Sequence, residues 1–201
     1  MSNISKFTKS FEESFNKLVK VEGIYSNFNL DPGGETIYGI ARNRNPEWEG
    51  WKYIDKIKEN NPNYKSILIK DEKLIKLCKD FYYRHYWLKL RLEDINDKNL
   101  RYEIFEMSIN IGRTLTSYYL QRTVNLLNGF KHKICENLVV DGIIGNKTIS
   151  AINKIIEHDK SAKFICNYLN IYQGYRYVKL MEKNKELKIY ARGWIKRVKV
   201  C

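Results

Sequence analysis

The stretch from Phe11 to Ile40 constrains the fold most, because it joins an apolar helix face to a reversal of the chain. Phe11, Phe15, Leu18 and Glu22 are spaced by four, three and four residues, so on an α-helix they share one stripe. The carboxyl of Glu22 therefore continues a hydrophobic face. Partial burial favours the protonated form of a carboxyl group, and a general acid needs that form near neutral pH.

Two short extended runs follow this helix, at residues 24–29 and 36–41, and both are rich in Ile, Tyr, Phe and Thr. The segment Asp31-Pro32-Gly33-Gly34 between them supplies the backbone angles of a reversal. A hairpin of this kind would bring Asp31 and Thr36 back towards Glu22. An acid facing a carboxylate across a cleft suits glycoside hydrolysis. The alternatives are a solvated glutamate at a helix end and an aspartate that only forms a turn.

The same stretch carries a local motif: Glu22-Gly23, Tyr25, Asp31-Pro32-Gly33-Gly34-Glu35-Thr36 and Gly39-Ile40. Further motifs follow in order: Tyr83-Arg84, Tyr86-Trp87, Asn110-Ile111-Gly112, Gln121, Asp141-Gly142-Ile143-Ile144-Gly145 with Lys147-Thr148, and Gly193-Trp194 before Arg197-Val198. Together these motifs resemble glycoside hydrolase family 108. The resemblance implies an N-acetylmuramidase with a lysozyme-like fold.

The resemblance also implies roles for individual residues. Glu22 matches the catalytic glutamate of the family, and Asp31 and Thr36 are its nearest helpers, with Asp31 as the second catalytic residue. The residues assigned to substrate binding are Thr36, Tyr25, Tyr38 and Asn110. Two positions depart from the family pattern. Ile24 replaces a second glycine after the glutamate, and Glu106 stands where an aspartate is common.

The segment from Val139 to Gly145 resembles the turn-and-helix core of peptidoglycan-binding modules, with Asp141-Gly142 forming a tight turn. The ladder of Asp and Glu ligands that a calcium loop requires is missing, so we expect no metal here. We predict a lysozyme-like catalytic region at residues 1–112, with a closely packed helical peptidoglycan-binding region at 113–201.

Hydrophobic periodicity predicts helices over residues 5–22, 51–60, 71–88, 100–111, 114–128, 148–157, 161–181 and 190–200. Asn146 or Thr148 is the expected cap of the sixth helix. The expected fold is mostly α, a lysozyme-like α+β fold with a small β-hairpin beside the catalytic helix and a helical C-terminal half. Trp48, Trp51 and Trp87 are either core residues or faces for sugar rings.

The formal net charge is +13, which favours a negatively charged partner such as peptidoglycan or another anionic polymer of the cell envelope. The lysines are scattered and no nucleic-acid motif is present, so we expect no nucleic-acid partner. Cys78, Cys135, Cys166 and Cys201 lack CxxC or metal-type spacing and are interpreted as free thiols, with no metal or other cofactor.

The N-terminal residues do not form a Sec signal, and no run of 18 apolar residues occurs. We therefore expect a monomer made in the cytoplasm without membrane insertion. It would reach the periplasm or cell wall through a holin or a dedicated export route.

The predicted function is a peptidoglycan hydrolase that cleaves between N-acetylmuramic acid and N-acetylglucosamine. It would serve in phage lysis, as an endolysin, or in wall remodelling for secretion. Three alternatives stay open at this point: a lytic transglycosylase, a non-catalytic wall-binding protein and a nucleic-acid-binding protein.

Overall fold

The computed structural model describes residues 7–22, 24–27 and 33–198, without the side chains of Val21 and Glu22. The chain divides into two compact units, Met1–His85 and Tyr86–Cys201. Among the described residues, no helix combines the length and the apolar character that a membrane crossing demands.

The first unit begins with helix α1, Lys9–Glu22. Its predicted apolar stripe is confirmed through Leu18, since Phe11, Phe15 and Leu18 are at most 2% exposed. Phe11 packs edge-on against Tyr83, with ring centroids 4.9 Å apart. The predicted start of the helix at Ser5 lies outside the described residues.

A small antiparallel sheet follows α1, made of β1 (Tyr25–Ser26), β2 (Thr36–Ile37) and β3 (Ile40–Ala41). Tyr25 lies opposite Ile37, so the predicted hairpin is confirmed as the β1–β2 pair. The second extended run is not one strand, because Tyr38 and Gly39 have φ values of 49° and 82°. Two successive residues with positive φ make a tight turn of the kind that joins two strands, and this turn creates β3.

Three helices complete the first unit: α2 (Gly50–Asn60), α3 (Tyr64–Leu68) and α4 (Glu72–Tyr82). Asp71 caps α4 by accepting a hydrogen bond from the Leu74 amide at 2.7 Å. The predicted single helix at 71–88 is wrong at its end, since a π-helical turn at Tyr83–Trp87 replaces the last part. The division between the two units falls inside this turn.

The second unit contains α5 (Lys98–Ile111), α6 (Arg113–Leu127), α7 (Asn146–Asp159), α8 (Lys163–Lys183) and α9 (Ala191–Ile195). Helices α5, α6 and α8 pack against one another. The core of α5 includes Leu100, Ile104, Phe105 and Met107, all fully buried. Short 3-10 turns lie at Leu92–Asp94 and Lys185–Tyr190.

The expected cap of α7 is wrong. The N-cap residue is Gly145, which provides no side-chain hydrogen bond, and the helix begins at Asn146. Thr148 is buried instead, and its hydroxyl lies 3.4 Å from the Ile143 carbonyl oxygen to which it donates.

Candidate functional site

Glu22 is the last residue of α1, and β1 begins at Tyr25. Because Phe11, Phe15 and Leu18 are buried, Glu22 occupies the next position of that stripe at helical spacing. The side chain of Glu22 and the whole of Asp31 lie outside the described residues. Their catalytic roles therefore stay predictions.

A buried carboxylate, Glu35, lies immediately before β2 and is 6% exposed. Its oxygens accept hydrogen bonds from Lys58 Nζ at 3.0 and 3.1 Å and from the Tyr25 hydroxyl at 2.9 Å. Arg42 Nε lies 3.3 Å from the second oxygen. Burial of a carboxylate costs much free energy unless partners of this kind pair with it. We call Glu35, Tyr25, Arg42 and Lys58 the Glu35 cluster.

The Glu35 cluster joins the two ends of the segment that contains Asp31. Tyr25 stands in β1, before this segment, and Glu35 stands just after it. Burial, together with hydrogen bonds to Tyr64 and Glu35, raises the pKa of the Tyr25 phenol above its ordinary value. Tyr25 thus stays a neutral donor at physiological pH. Its hydroxyl, assigned to substrate from the sequence, is used to hold Glu35.

The other two substrate-binding predictions in this unit have internal partners. The Thr36 hydroxyl donates to the Gly34 carbonyl at 3.3 Å. Tyr38 is 4% exposed, and its hydroxyl donates to the Ile69 carbonyl at 3.1 Å. Tyr38 therefore packs inside the unit and supports the turn between β2 and β3.

Of the three tryptophans considered for sugar contact, Trp51 and Trp87 are core residues, at 4% and 0% exposure. The sugar-binding alternative for these two is wrong. Trp48 is half-buried and meets Trp51 edge-on, with centroids 5.1 Å apart.

A basic pocket of about 400 Å³ lies in the first unit between α2 and α4. Its lining includes four exposed lysines: Lys52, Lys56, Lys73 and Lys76. Among the described residues, no carboxylate forms an ion pair with any of these four. Glu49 and Asp80 also line the pocket, and Asp80 pairs with Arg84 at 2.8 Å. Four lysines against two carboxylates give the pocket an excess of positive charge, and we call it the lysine pocket.

In the second unit, Asn110 is bound by its neighbours. Its amide nitrogen donates to Glu106 Oε1 at 2.6 Å and to the Glu106 carbonyl at 3.0 Å. Its amide oxygen accepts from Arg197 Nη1 at 2.9 Å. All three of these hydrogen bonds are made within the second unit. Its assignment to substrate stays a prediction.

The loop before α7 is organised by the buried side chain of Gln121, which is 1% exposed. Its amide nitrogen donates to Asp141 Oδ1 at 2.8 Å and to the Ile143 carbonyl at 3.0 Å. Its oxygen accepts from the amides of Asp141 and Gly142 at 3.1 and 2.8 Å. Hydrogen bonds from Gln121 and the Ile143 amide lower the pKa of the Asp141 carboxyl, which is therefore committed to the turn.

Sequence reasoning recognised Gln121 and Glu35 only as parts of motifs, because their partners come from distant segments. Within the described residues, no group of three His, Cys, Asp or Glu side chains is placed to hold a metal ion. Cys78, Cys135 and Cys166 are free thiols.

Comparison with known proteins gives matches over most of the chain. Residues 15–112 match the family model described as Glycosyl hydrolase 108, and residues 116–199 match that of a Predicted Peptidoglycan domain. A search of curated proteins gives no significant match. Among solved structures, the chain is similar to SagA of Brucella abortus, with 22% identity over 94% of this chain and 89% of that one, and a TM-score of 0.59.

The likeness to SagA concerns the fold. With the element order, it confirms a mostly α, lysozyme-like α+β fold with a small antiparallel sheet and a helical C-terminal half. The boundary between functional regions at residue 112 stays a prediction. The two family matches support a glycoside hydrolase that acts on peptidoglycan. The chain thus combines a glycosyl hydrolase 108 region at residues 15–112 with a predicted peptidoglycan domain at residues 116–199.

Proposed function

We propose that the protein is an N-acetylmuramidase that hydrolyses the glycan strand between N-acetylmuramic acid and N-acetylglucosamine, with Glu22 as its general acid. One observation carries the assignment. Glu22 ends the helix whose buried stripe runs through Phe11, Phe15 and Leu18, and a β-hairpin begins directly after it. A carboxyl at the end of an apolar stripe beside a hairpin is suited to hold a proton for a glycosidic oxygen.

In the proposed reaction, Glu22 gives its proton to the glycosidic oxygen as the bond from the anomeric carbon to that oxygen breaks. The electrons of this bond leave with the departing sugar, and positive charge develops on the remaining ring. Asp31 stabilises that charge or positions the water that attacks the anomeric carbon. Water supplies the hydroxyl of the new reducing end, and its second proton restores the carboxylic acid.

The Glu35 cluster supports this reaction by fixing the residues that flank the segment with Asp31. Tyr25 and Glu35 flank this segment, and their hydrogen bond of 2.9 Å joins its two ends. Lys58 ties Glu35 to helix α2. A catalytic group must be held close to its productive geometry, and the cluster fixes the positions of Tyr25 and Glu35 on either side of Asp31 in the sequence.

Product analysis on purified peptidoglycan tests the proposed reaction. We expect muropeptides that end in a reducing N-acetylmuramic acid, detected by mass spectrometry before and after borohydride reduction. Anhydro-sugar ends, which borohydride does not reduce, would identify a lytic transglycosylase. No released glycan fragments under conditions where the protein binds the wall would indicate a non-catalytic binding protein.

We also propose that the protein acts on the cell wall, after passage through a holin-type or dedicated export route.

Binding to isolated wall should weaken as salt rises, because the lysine pocket supplies an electrostatic attraction that counterions screen. Replacing Lys52, Lys56, Lys73 and Lys76 together by glutamine should weaken low-salt binding by about 10-fold and flatten its salt dependence, since about 1.4 kcal/mol corresponds to a factor of ten. Sedimentation of the protein with sacculi at increasing NaCl concentration measures both effects.

The matched control for this experiment removes the same charge elsewhere. Lys65, Lys70, Lys131 and Lys133 are exposed and lie outside the pocket, so their replacement by glutamine changes the net charge equally. If the control variant loses as much affinity as the pocket variant, the attraction belongs to the overall charge and the pocket has no special part in it.

A further inference from the structure

The second unit contains a groove of about 820 Å³, formed by helix α7 and the loop that precedes it. It lies within residues 116–199, the part matched to the Predicted Peptidoglycan domain. Its volume is in the range of small-molecule sites, roughly 300–1,000 Å³. We call it the α7 groove.

The loop that forms one wall of the α7 groove is held in place by α6. Three amide side chains on one face of that helix, Gln121, Asn125 and Asn128, bond to the loop backbone. Asn125 makes a reciprocal pair with Leu138, donating to its carbonyl at 2.8 Å and accepting from its amide at 2.7 Å. Asn128 does the same with Cys135, at 2.7 and 2.8 Å.

These paired bonds fix the loop backbone at three places: near Cys135, at Leu138 and at the Asp141 turn. The side chains between these points therefore project from a backbone that hydrogen bonds hold in place. A ligand would not need to order this loop on binding, so less conformational entropy is lost and more of the contact energy appears as affinity.

The α7 groove presents charges of both signs. Lys147 and Lys154 of α7 and Glu136 of the loop line it, and all three are exposed. Among the described residues, none of them forms an ion pair with another side chain of the protein. Asp141 also lines the groove, but its carboxylate accepts hydrogen bonds from Gln121 and the Ile143 amide. The groove therefore offers a ligand two cations and, besides Asp141, the anion of Glu136.

Aliphatic side chains complete the lining. Val139 and Ile143 are 78% and 68% exposed, and Ala151 lies on the α7 side. No aromatic ring occurs among the described residues that line the groove. Aromatic faces are the usual partners of sugar rings, whereas exposed aliphatic groups beside charges suit a peptide with small apolar side chains.

We propose that the α7 groove binds the stem peptide of peptidoglycan and leaves the glycan strand to the first unit. This inference rests on the proposed action on peptidoglycan. A stem peptide carries carboxylates for Lys147 and Lys154, a free amino group for Glu136, and alanine methyl groups for Val139 and Ile143. Where its lactyl carboxyl is amide-linked to the stem, the glycan offers only hydroxyl, acetamido and amide groups, which use none of these charges.

The direct test is a titration of the full-length protein with two soluble probes that lack the bond hydrolysed in the proposed reaction. One is a free stem tetrapeptide that contains alanine, glutamate and a diamino acid. The other is the disaccharide with N-acetylmuramic acid at its reducing end, whose lactyl carboxyl is converted to the simple amide so that the probe carries no charge. We expect the tetrapeptide to protect Cys135, which lines the groove, from alkylation, while the disaccharide does not. Cys166, half-buried in the same unit, is the internal control for reagent activity.

Charge variants locate the binding. The double replacement Lys147→Gln with Lys154→Gln should weaken tetrapeptide binding by about 10-fold, as expected from the loss of roughly 1.4 kcal/mol. The matched double variant Lys185→Gln with Lys188→Gln removes equal charge from exposed positions outside the groove and should bind normally. Lys154→Arg keeps the positive charge and should retain most of the affinity of the unmodified protein.

Two outcomes would overturn the proposal: protection of Cys135 by the disaccharide and not by the tetrapeptide, or normal tetrapeptide binding by the Lys147/Lys154 variant. Hydrolysis is measured separately on intact peptidoglycan. Tetrapeptide binding without hydrolysis would refute the muramidase and keep the peptide site. Hydrolysis without tetrapeptide binding would refute the peptide site alone.

Discussion

Replacement of Glu22 by glutamine should lower kcat on purified peptidoglycan by about 100-fold to 10,000-fold, the range that a positioned general acid contributes. Glutamine keeps the size and hydrogen-bonding capacity of the side chain but has no acidic proton to give. Folding and wall binding should be nearly unchanged. Release of reducing ends measures kcat, and sedimentation with sacculi measures binding.

Two further variants serve as a control and a comparison for Glu22→Gln. Glu13→Gln changes an exposed glutamate of the same helix and should leave kcat unaltered. Asp31→Asn should reduce kcat less than Glu22→Gln, because charge support or water placement is partly replaced by neighbouring dipoles. An inactive Asp31 variant beside a nearly normal Glu22 variant would show that the acid has been assigned to the wrong residue.

If both variants stay active, the site lies elsewhere, and Glu35 and Glu106 are the next carboxylates by sequence. The structure leaves each of them engaged. Glu35 accepts from Lys58 and Tyr25, and Glu106 is 7% exposed with Asn110 bonded to it at 2.6 Å. Both carboxylates therefore have structural partners that a catalytic role would have to displace.

Removal of the Glu35 carboxylate should give the second large effect. Glu35→Leu leaves Lys58 and Arg42 without their shared anion, and breaking a buried pair from one side costs about 3–5 kcal/mol. The side chains of Lys58 and Arg42 are 28% and 31% exposed, so water compensates part of this loss. We expect a fall of about 3 kcal/mol in the free energy of unfolding, measured by urea denaturation.

Asp55→Asn is the matched control for the Glu35 variant. Asp55 pairs with the same arginine at 2.6 Å, but its side chain is 43% exposed. Exposed ion pairs contribute about 0–1 kcal/mol, so this variant should be close to normal in stability. Equal stability losses for the two variants would mean that burial of Glu35 has no energetic consequence.

The Glu35 variant should also affect catalysis, since the Glu35 cluster flanks the segment with Asp31. We expect kcat to fall more than substrate affinity, because a displaced Asp31 affects the transition state more than the ground state. Tyr25→Phe removes one hydrogen bond from the cluster without leaving an unpaired charge. It should therefore give a smaller loss in the same direction.

Sequence patterns predicted the structure correctly where the local spacing of apolar residues determines which element forms. The stripe of α1 and the apolar content of α5 predicted buried helices, and Phe11 and Leu100 are fully buried in them. Local turn chemistry likewise predicted the β1–β2 hairpin. The extra strand β3 was missed because it depends on positive φ at Tyr38, a conformation that tyrosine rarely adopts.

The side-chain pairings and the burial of the tryptophans depend on contacts between distant parts of the sequence. Glu35 meets Lys58 across 23 residues, and Asn110 meets Arg197 across 87, so neither pairing has a local signal. For the aromatic residues, periodicity does not separate a core tryptophan from one that faces a ligand. Burial of Trp51 and Trp87 became evident only from the packing around them.

The role of Glu22 is tested most directly by changing the leaving group of the substrate. In a glycan oligosaccharide with a dinitrophenyl group at its reducing end, the leaving group is dinitrophenolate, which departs without help from an acid. The natural sugar leaving group needs a proton. If Glu22 is the general acid, Glu22→Gln should be severely impaired on peptidoglycan but recover most of the wild-type kcat on the dinitrophenyl substrate. Equal impairment on both substrates would contradict the assignment of Glu22 as the acid.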